Sequence, residues 1–185
     1  MIFNKHSAYE GQHAFLGASK YHWLNYDEHK IVEAYSNYLA KQRGTTLHAF
    51  ASECIKLRQK LARKNKTLNM YVNDAIDDRM TPEQVLYYSD NCFGTADALG
   101  FSDDILRIYD LKTGVIPAHI EQLEIYAALF CLEYGIKPSE ITIELRIYQN
   151  DEIIVNEPSS ERIMDICDKI INFDKILRSV KKKEE

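Results

Sequence analysis

Asp97, Asp110 and Lys112 are residue types suited to metal-assisted phosphate chemistry, and two short β-type runs can bring them together. Two neighbouring carboxylates repel unless a proton or a cation lies between them. A lysine stays outside a metal's ligand shell, yet it can hold an attacking water or neutralise a developing oxyanion. The set suits a hard divalent cation, Mg²⁺ or Mn²⁺, with phosphate as the reacting group. Asp-x-Lys also arises by chance on solvated strand faces, so order and context carry the reading. Here Gly94-Thr95-Ala96-Asp97 comes first, then Asp110-Leu111-Lys112-Thr113-Gly114, then Gln122 and Tyr126.

The elements that must position these residues follow from pattern. Phe93–Leu99 and Ile105–Leu111 read as strands joined by a polar turn containing Ser102, Asp103 and Asp104. Alternate strand residues share a face, which puts Asp110 and Lys112 on one side. An even-length turn, Phe101–Asp104 or Ser102–Asp103, pairs Asp97 with Ile108 and sets Asp97 on that same side. A one-residue slip would reverse it. Pro117 suits the first position of the next helix. There Ile120, Leu123, Ala127, Phe130 and Tyr134 form one stripe, and His119, Gln122 and Tyr126 a second. Gly135 ends that helix.

The ordered set strongly resembles the PD-(D/E)XK nuclease superfamily in its RecB-like branch. That branch includes the nuclease domains of RecB and AddB, YqaJ-type phage exonucleases and CRISPR-adaptation nucleases. The resemblance covers roughly residues 13–150. It implies a restriction-endonuclease-like core and metal-dependent hydrolysis of DNA, with Asp97, Asp110 and the Leu111 carbonyl on the metal. Lys112 would act at the phosphate, with Gln122 and Tyr126 at the edge of the site. Gly44-Thr45-Thr46-Leu47-His48 resembles the segment that presents a histidine to the metal, so His48 joins the ligand set. That imidazole would favour Mn²⁺ more than an all-oxygen site does. Glu53 is a lower-ranked alternative acid. Ser19, Lys20 and Thr113 are candidates for phosphate contact, although capping and turn roles compete. His119 has no support from the family pattern.

The family's Cys-Pro after its first helix is absent. So are the clustered C-terminal cysteines that hold an iron–sulfur cluster in several relatives, and none is expected here. Cys54, Cys92, Cys131 and Cys167 are singly spaced and read as small core residues. The biology implied is DNA-end resection by a phage or bacterial exonuclease in recombination or repair. Two alternatives are a non-catalytic DNA- or protein-binding member of the fold and a nuclease subunit of a larger complex. A homo-oligomer or a recombination partner protein would fit as well.

Length and composition are consistent with this. The 185 residues suggest one domain, 1–185, with 45% hydrophobic and 28% charged content typical of a soluble globular chain. The longest apolar run, Ile125–Leu132, is too short for a bilayer, and Met1–His6 shows no apolar signal region. A cytoplasmic protein, in a bacterial host cell if phage-encoded, is the expectation. A net charge of −5 counts mildly against nonspecific DNA binding. Basic residues nevertheless gather at Lys56, Arg58, Lys60, Arg63, Lys64 and Lys66, and form either a DNA-contacting strip, with Lys56 and Lys60 foremost, or a solvated helix face.

The rest of the chain fills in the architecture. Residues 1–12 read as irregular, and Ser19 as the N-cap of a short helix. A helix Glu28–Gln42 is expected to stop at Gly44. Thr45 or Thr46 would cap the next, with Leu47, Phe50, Cys54, Leu57 and Leu61 as its buried stripe. A short helix Val72–Ile76 and a strand Glu83–Ser89 follow, with Glu83 at the surface by default and an approach to the site as its alternative. Ile141–Tyr148 and Ile153–Val155 form a hairpin about Asn150-Asp151, and Ser160–Val180 a last helix before a solvated Lys181–Lys183 tail. The sum is an α/β fold, a central mixed β-sheet flanked by helices.

Overall fold

The computed structural model describes residues 7–9, 13–114 and 116–184. The chain divides into two units, Met1–Thr45 and Thr46–Glu185, the division falling within one long helix.

In the first unit a 3₁₀ helix, Ala18–Asn25, precedes helix α1, Glu28–Lys56. Asp27 caps α1, its Oδ1 accepting the Lys30 amide at 2.7 Å. This satisfies one donor that a helix start leaves open. Phe15 packs against Tyr35 and Tyr38, with ring centroids 5.0 and 5.3 Å apart. Trp23 donates its indole N–H to the Gly17 carbonyl at 3.1 Å. Ser19 is not a cap: it lies inside the 3₁₀ helix, exposed beside exposed Lys20, and Gly17 holds the cap position. Residues 1–6 and 10–12, read as irregular from sequence, lie outside the described residues.

Gly44 does not end the helix. The ladder runs through it, and Thr45 donates its hydroxyl to the Lys41 carbonyl at 3.2 Å. That is the back-bonding of an interior threonine, not a cap. A glycine within a helix costs only about 1 kcal/mol.

In the second unit α1 stops after Lys56, earlier than its expected run to Leu61. Arg58 turns left-handed (φ 54°), while the Gln59 amide reaches the Cys54 carbonyl and the Arg58 amide the Ile55 carbonyl. This paired closure satisfies the last carbonyls. The buried face is Ala51, Cys54 and Ile55, with Phe50 and Leu57 left exposed. Ser52 is buried beside Ala51. Helix α2, Thr67–Asp77, is longer than the expected short segment. Its first amide is taken by Asp151 Oδ1 at 2.9 Å, a cap supplied from a distant turn.

Five strands follow: β1 (Thr81–Ser89), β2 (Cys92–Ser102), β3 (Ile105–Leu111), β4 (Thr142–Gln149) and β5 (Glu152–Asn156). They lie in the order β1-β2-β3-β4-β5, antiparallel except for the parallel β3–β4 pair. Helix α3, Glu121–Tyr134, makes the β3–β4 crossover and ends at Gly135, whose φ of 66° suits its lack of a side chain. Helix α4 spans Ser160–Glu184, so Lys181–Lys183 continue the helix.

The sheet is covered on both sides. One core joins Leu106, Ile108 and Ile147 to Leu123, Ala127 and Phe130 of α3 and Ile163 of α4. The other joins Ala98, Tyr109, Leu111 and Tyr148 to Ala51 and Ile55 of α1 and Val72 and Ala75 of α2. Cys54, Cys131 and Cys167 are buried among these, and Cys92 half-buried. Among the described residues no helix is long and apolar enough to cross a membrane.

Two features differ from the sequence reading and both bear on function. The β2–β3 turn is Asp103-Asp104, with φ of 52° and 57°, and Ser102 pairs with Ile105. Aspartate tolerates this left-handed geometry, which a two-residue hairpin requires. The register is therefore Ala98↔Tyr109, two residues on from the expected pairing of Asp97 with Ile108. Helix α3 also begins at Glu121, not at Pro117. Buried Gln149 holds the intervening loop: its Nε2 donates to the Gly114 and Ile116 carbonyls, and its Oε1 accepts the Ala118 amide. These bonds fix the loop that leads into the helix.

Candidate metal centre

The β2–β3 ladder opens one step past Ala98↔Tyr109. There Asp97 Oδ2 accepts the Leu111 amide at 2.9 Å, so a side chain replaces a backbone rung. Ala96 and Ala98 belong to opposite cores, so β2 reverses its faces about Asp97; a regular strand would keep both on one side. Across the β1–β2 ladder, between Pro82↔Ala98 and Gln84↔Ala96, Glu83 stands opposite Asp97 with φ 52°. A left-handed glutamate inside a strand is costly, and such strain gathers at functional sites.

His48 reaches the same place from α1, its Nδ1 3.4 Å from Asp97 Oδ2. His48, Glu83 and Asp97 each offer a ligand atom within 4.8 Å of the others. Burial and then Asp97 push the Glu83 carboxyl up, while the hydrogen bond to Asp97 raises the His48 imidazole against the cost of its burial.

Asp110 is 3% exposed and stands beside this trio, outside its radius. Burial, reinforced by Asp97, raises its pKa, with Lys112 opposing. Lys112 Nζ lies 3.1 Å from Oδ1, where the hydrogen bond is directed, and 2.9 Å from Oδ2. Both oxygens of this buried carboxylate thus meet the ammonium, Oδ2 as an ion pair. The imidazole of His48 and the carboxylates of Glu83 and Asp97 form a ligand set that can hold a metal ion, with Asp110 and its lysine beside them.

The lysine leads on to α3. Lys112 Nζ donates to Gln122 Oε1 at 3.0 Å, and Gln122 Nε2 donates to the Tyr126 hydroxyl at 3.2 Å. Tyr126 lies against β2 at Gly94, where an added Cβ would come 2.9 Å from its Cε1. The Lys112 amide is itself bonded to the Tyr148 carbonyl.

The structure thus brings His48, Asp97, Asp110, Leu111, Lys112, Gln122 and Tyr126 together. Glu83, read from sequence as a surface residue by default, enters the trio in place of Asp110. The reason is local: its left-handed backbone opposite Asp97 is invisible until the register is known. Exposed Glu53 instead pairs with Lys56 at 3.0 Å, and His119 is exposed near Glu121. The basic cluster occupies the end of α1 and the irregular 57–66 segment, not a helix face. Within it Lys60 pairs with Asp77 and Lys66 with Asp151. Thr113 is exposed just past Lys112, and Ser19 and Lys20 belong to the first unit. Gln149 escaped the sequence reading because a polar residue ahead of a turn looks like a turn flank.

No protein-family model, curated protein or solved structure matches the chain at a significant level. What fold and site define is an α/β protein with a five-stranded mixed sheet between helices and a His–Glu–Asp cluster suited to a cation.

Proposed function

We propose that the protein is a metal-dependent deoxyribonuclease with a restriction-endonuclease-like core, acting at DNA ends as RecB-like phage exonucleases do. The observation that carries this reading is the Lys112 ammonium, set between Asp110 and Gln122 where His48, Glu83 and Asp97 gather. A cation held by His48, Glu83 and Asp97, with Asp110 beside them, supplies charge neutralisation at the phosphodiester and acidifies water.

The chain's own residues do the rest. Asp97 holds the end of β3 through the Leu111 amide and so fixes where Asp110 and Lys112 stand. Lys112 offers a fixed positive charge to the phosphate as negative charge builds on it. Such preorganised donors are worth about 10²–10³ in rate. Gln122 keeps the ammonium from swinging away, and Tyr126 braces Gln122 against β2.

Digestion of linear DNA with Mg²⁺ or Mn²⁺, with and without EDTA, tests the assignment. Release of nucleotides that EDTA abolishes is expected; DNA left intact with every divalent metal contradicts it.

A further inference from the structure

A cavity of about 230 Å³ opens beside the candidate centre, between α2, the end of β3 and the β4–β5 turn. Leu47, Leu68 and Leu111 give it an apolar side; Thr113 and Asn150 give it neutral hydrogen-bonding groups, the Thr67 hydroxyl being taken up by Asp151. Lys112 is the single charged residue of its lining, and its ammonium is committed to Asp110 and Gln122. The cavity is below the roughly 300–1,000 Å³ of common ligand pockets, which limits it to a small occupant.

We infer that this cavity seats the terminal nucleoside of the strand being cut. The inference rests on the nuclease reading, and it deepens that reading by naming where the last nucleoside of the strand is held. Leu111 and Lys112 line the cavity, the Leu111 amide bonds to Asp97 and the Lys112 ammonium to Asp110, so an occupant adjoins the centre. An apolar side with a hydroxyl and an amide suits a base and sugar. A phosphate would call for cations of its own, which this lining does not supply.

The wall is held firmly. Asp151 accepts from the Thr67 amide and hydroxyl and from Lys66, while its own amide donates to Thr67 Oγ1. That lattice ties the Asn150-Asp151 turn, one wall of the cavity, to the start of α2, another.

Two variants test it. Leu68→Trp fills the cavity, and Asn150→Gly removes the amide at a left-handed position (φ 53°) that glycine accepts. The assay follows mononucleotide release from an end-labelled oligonucleotide and from the same oligonucleotide ending in an abasic residue; calorimetry follows Mn²⁺ binding. Wild-type protein should cut the abasic end at least about tenfold more slowly, the scale on which a missing group in a shaped pocket is felt. Each variant should slow release from the normal end by a similar factor while binding Mn²⁺ as wild type does.

Equal cutting of the two ends, or full activity in both variants, overturns the terminal-nucleoside pocket and leaves the nuclease reading standing. Wild-type protein that binds Mn²⁺ yet cuts no DNA removes both.

Discussion

Asp97 Oδ2 accepts the backbone amide of Leu111 at 2.9 Å, so a carboxylate stands where the next rung of the β2–β3 ladder would be. The contact lets β2 and β3 part without orphaning an amide. It also sets an acid from one strand beside the Asp110-Leu111-Lys112 end of the other. The same carboxylate meets His48 and faces Glu83.

Metal affinity should depend on Glu83 as much as on the two acids legible from sequence. Glu83→Gln and Asp97→Asn are each expected to weaken Mn²⁺ binding by at least about tenfold in calorimetry. Glu53→Gln, on an exposed residue paired with Lys56, should bind as wild type does. Wild-type affinity in Glu83→Gln would remove that residue from the centre.

Tyr126 braces Gln122 only because Gly94 leaves room for its ring. Gly94→Ala should displace the ring and loosen Lys112 while leaving the cation ligands in place. Cleavage is expected to fall by up to about 10²-fold, the cost of a small misplacement, with Mn²⁺ affinity held. Unchanged turnover would take Gly94 and Tyr126 out of the account.

Gln149 is 6% exposed and satisfies three backbone groups of the loop before α3. Gln149→Leu breaks all three bonds, each worth about 1 kcal/mol net at this partly buried loop. A drop of roughly 3 kcal/mol in unfolding free energy by urea titration is expected. A loss below about 0.5 kcal/mol, the size of a surface substitution, would show that water replaces the amide.

Asp174 accepts from Ser89 Oγ at 2.6 Å and Asn91 Nδ2 at 2.9 Å, and pairs with Arg178 at 2.6 Å. These partners, Ser89 first, hold its carboxyl below the ordinary range. A lowered pKa favours the ionised form in the folded state. Its contribution is therefore complete above the usual carboxylate range and fades as pH falls through Asp174's own value. The stability gap between wild type and Asp174→Asn should be widest at neutral pH and shrink in acid. A gap independent of pH would show that the charge is immaterial.

Periodicity and turn chemistry made much of the fold legible. Strand β3 matches residue for residue, the Asn150-Asp151 turn joins β4 to β5, and Gly135 closes α3. The sequence reading failed where tertiary contacts override local signals. Gly44 and Thr45 look like a stop and a cap, yet the helix continues through them. Pro117 looks like a helix start, yet Gln149 holds the backbone of that loop. The β2–β3 register moved by two residues because the turn is Asp103-Asp104, one residue on from Ser102–Asp103; an even shift preserves parity. At the site, Asp97, Asp110, Lys112 and His48 are visible as residue types in order. Glu83 is not, because nothing in Pro82-Glu83 announces a left-handed backbone facing Asp97.

The most direct test of the central claim compares wild type with Lys112→Ala on linear DNA in Mn²⁺, with metal binding measured on the same preparations. The account predicts that wild type releases nucleotides, and that the variant binds Mn²⁺ equally well but cuts at least about 10²-fold more slowly. Equal cleavage by the two proteins, or none by wild type while Mn²⁺ is bound, would contradict it.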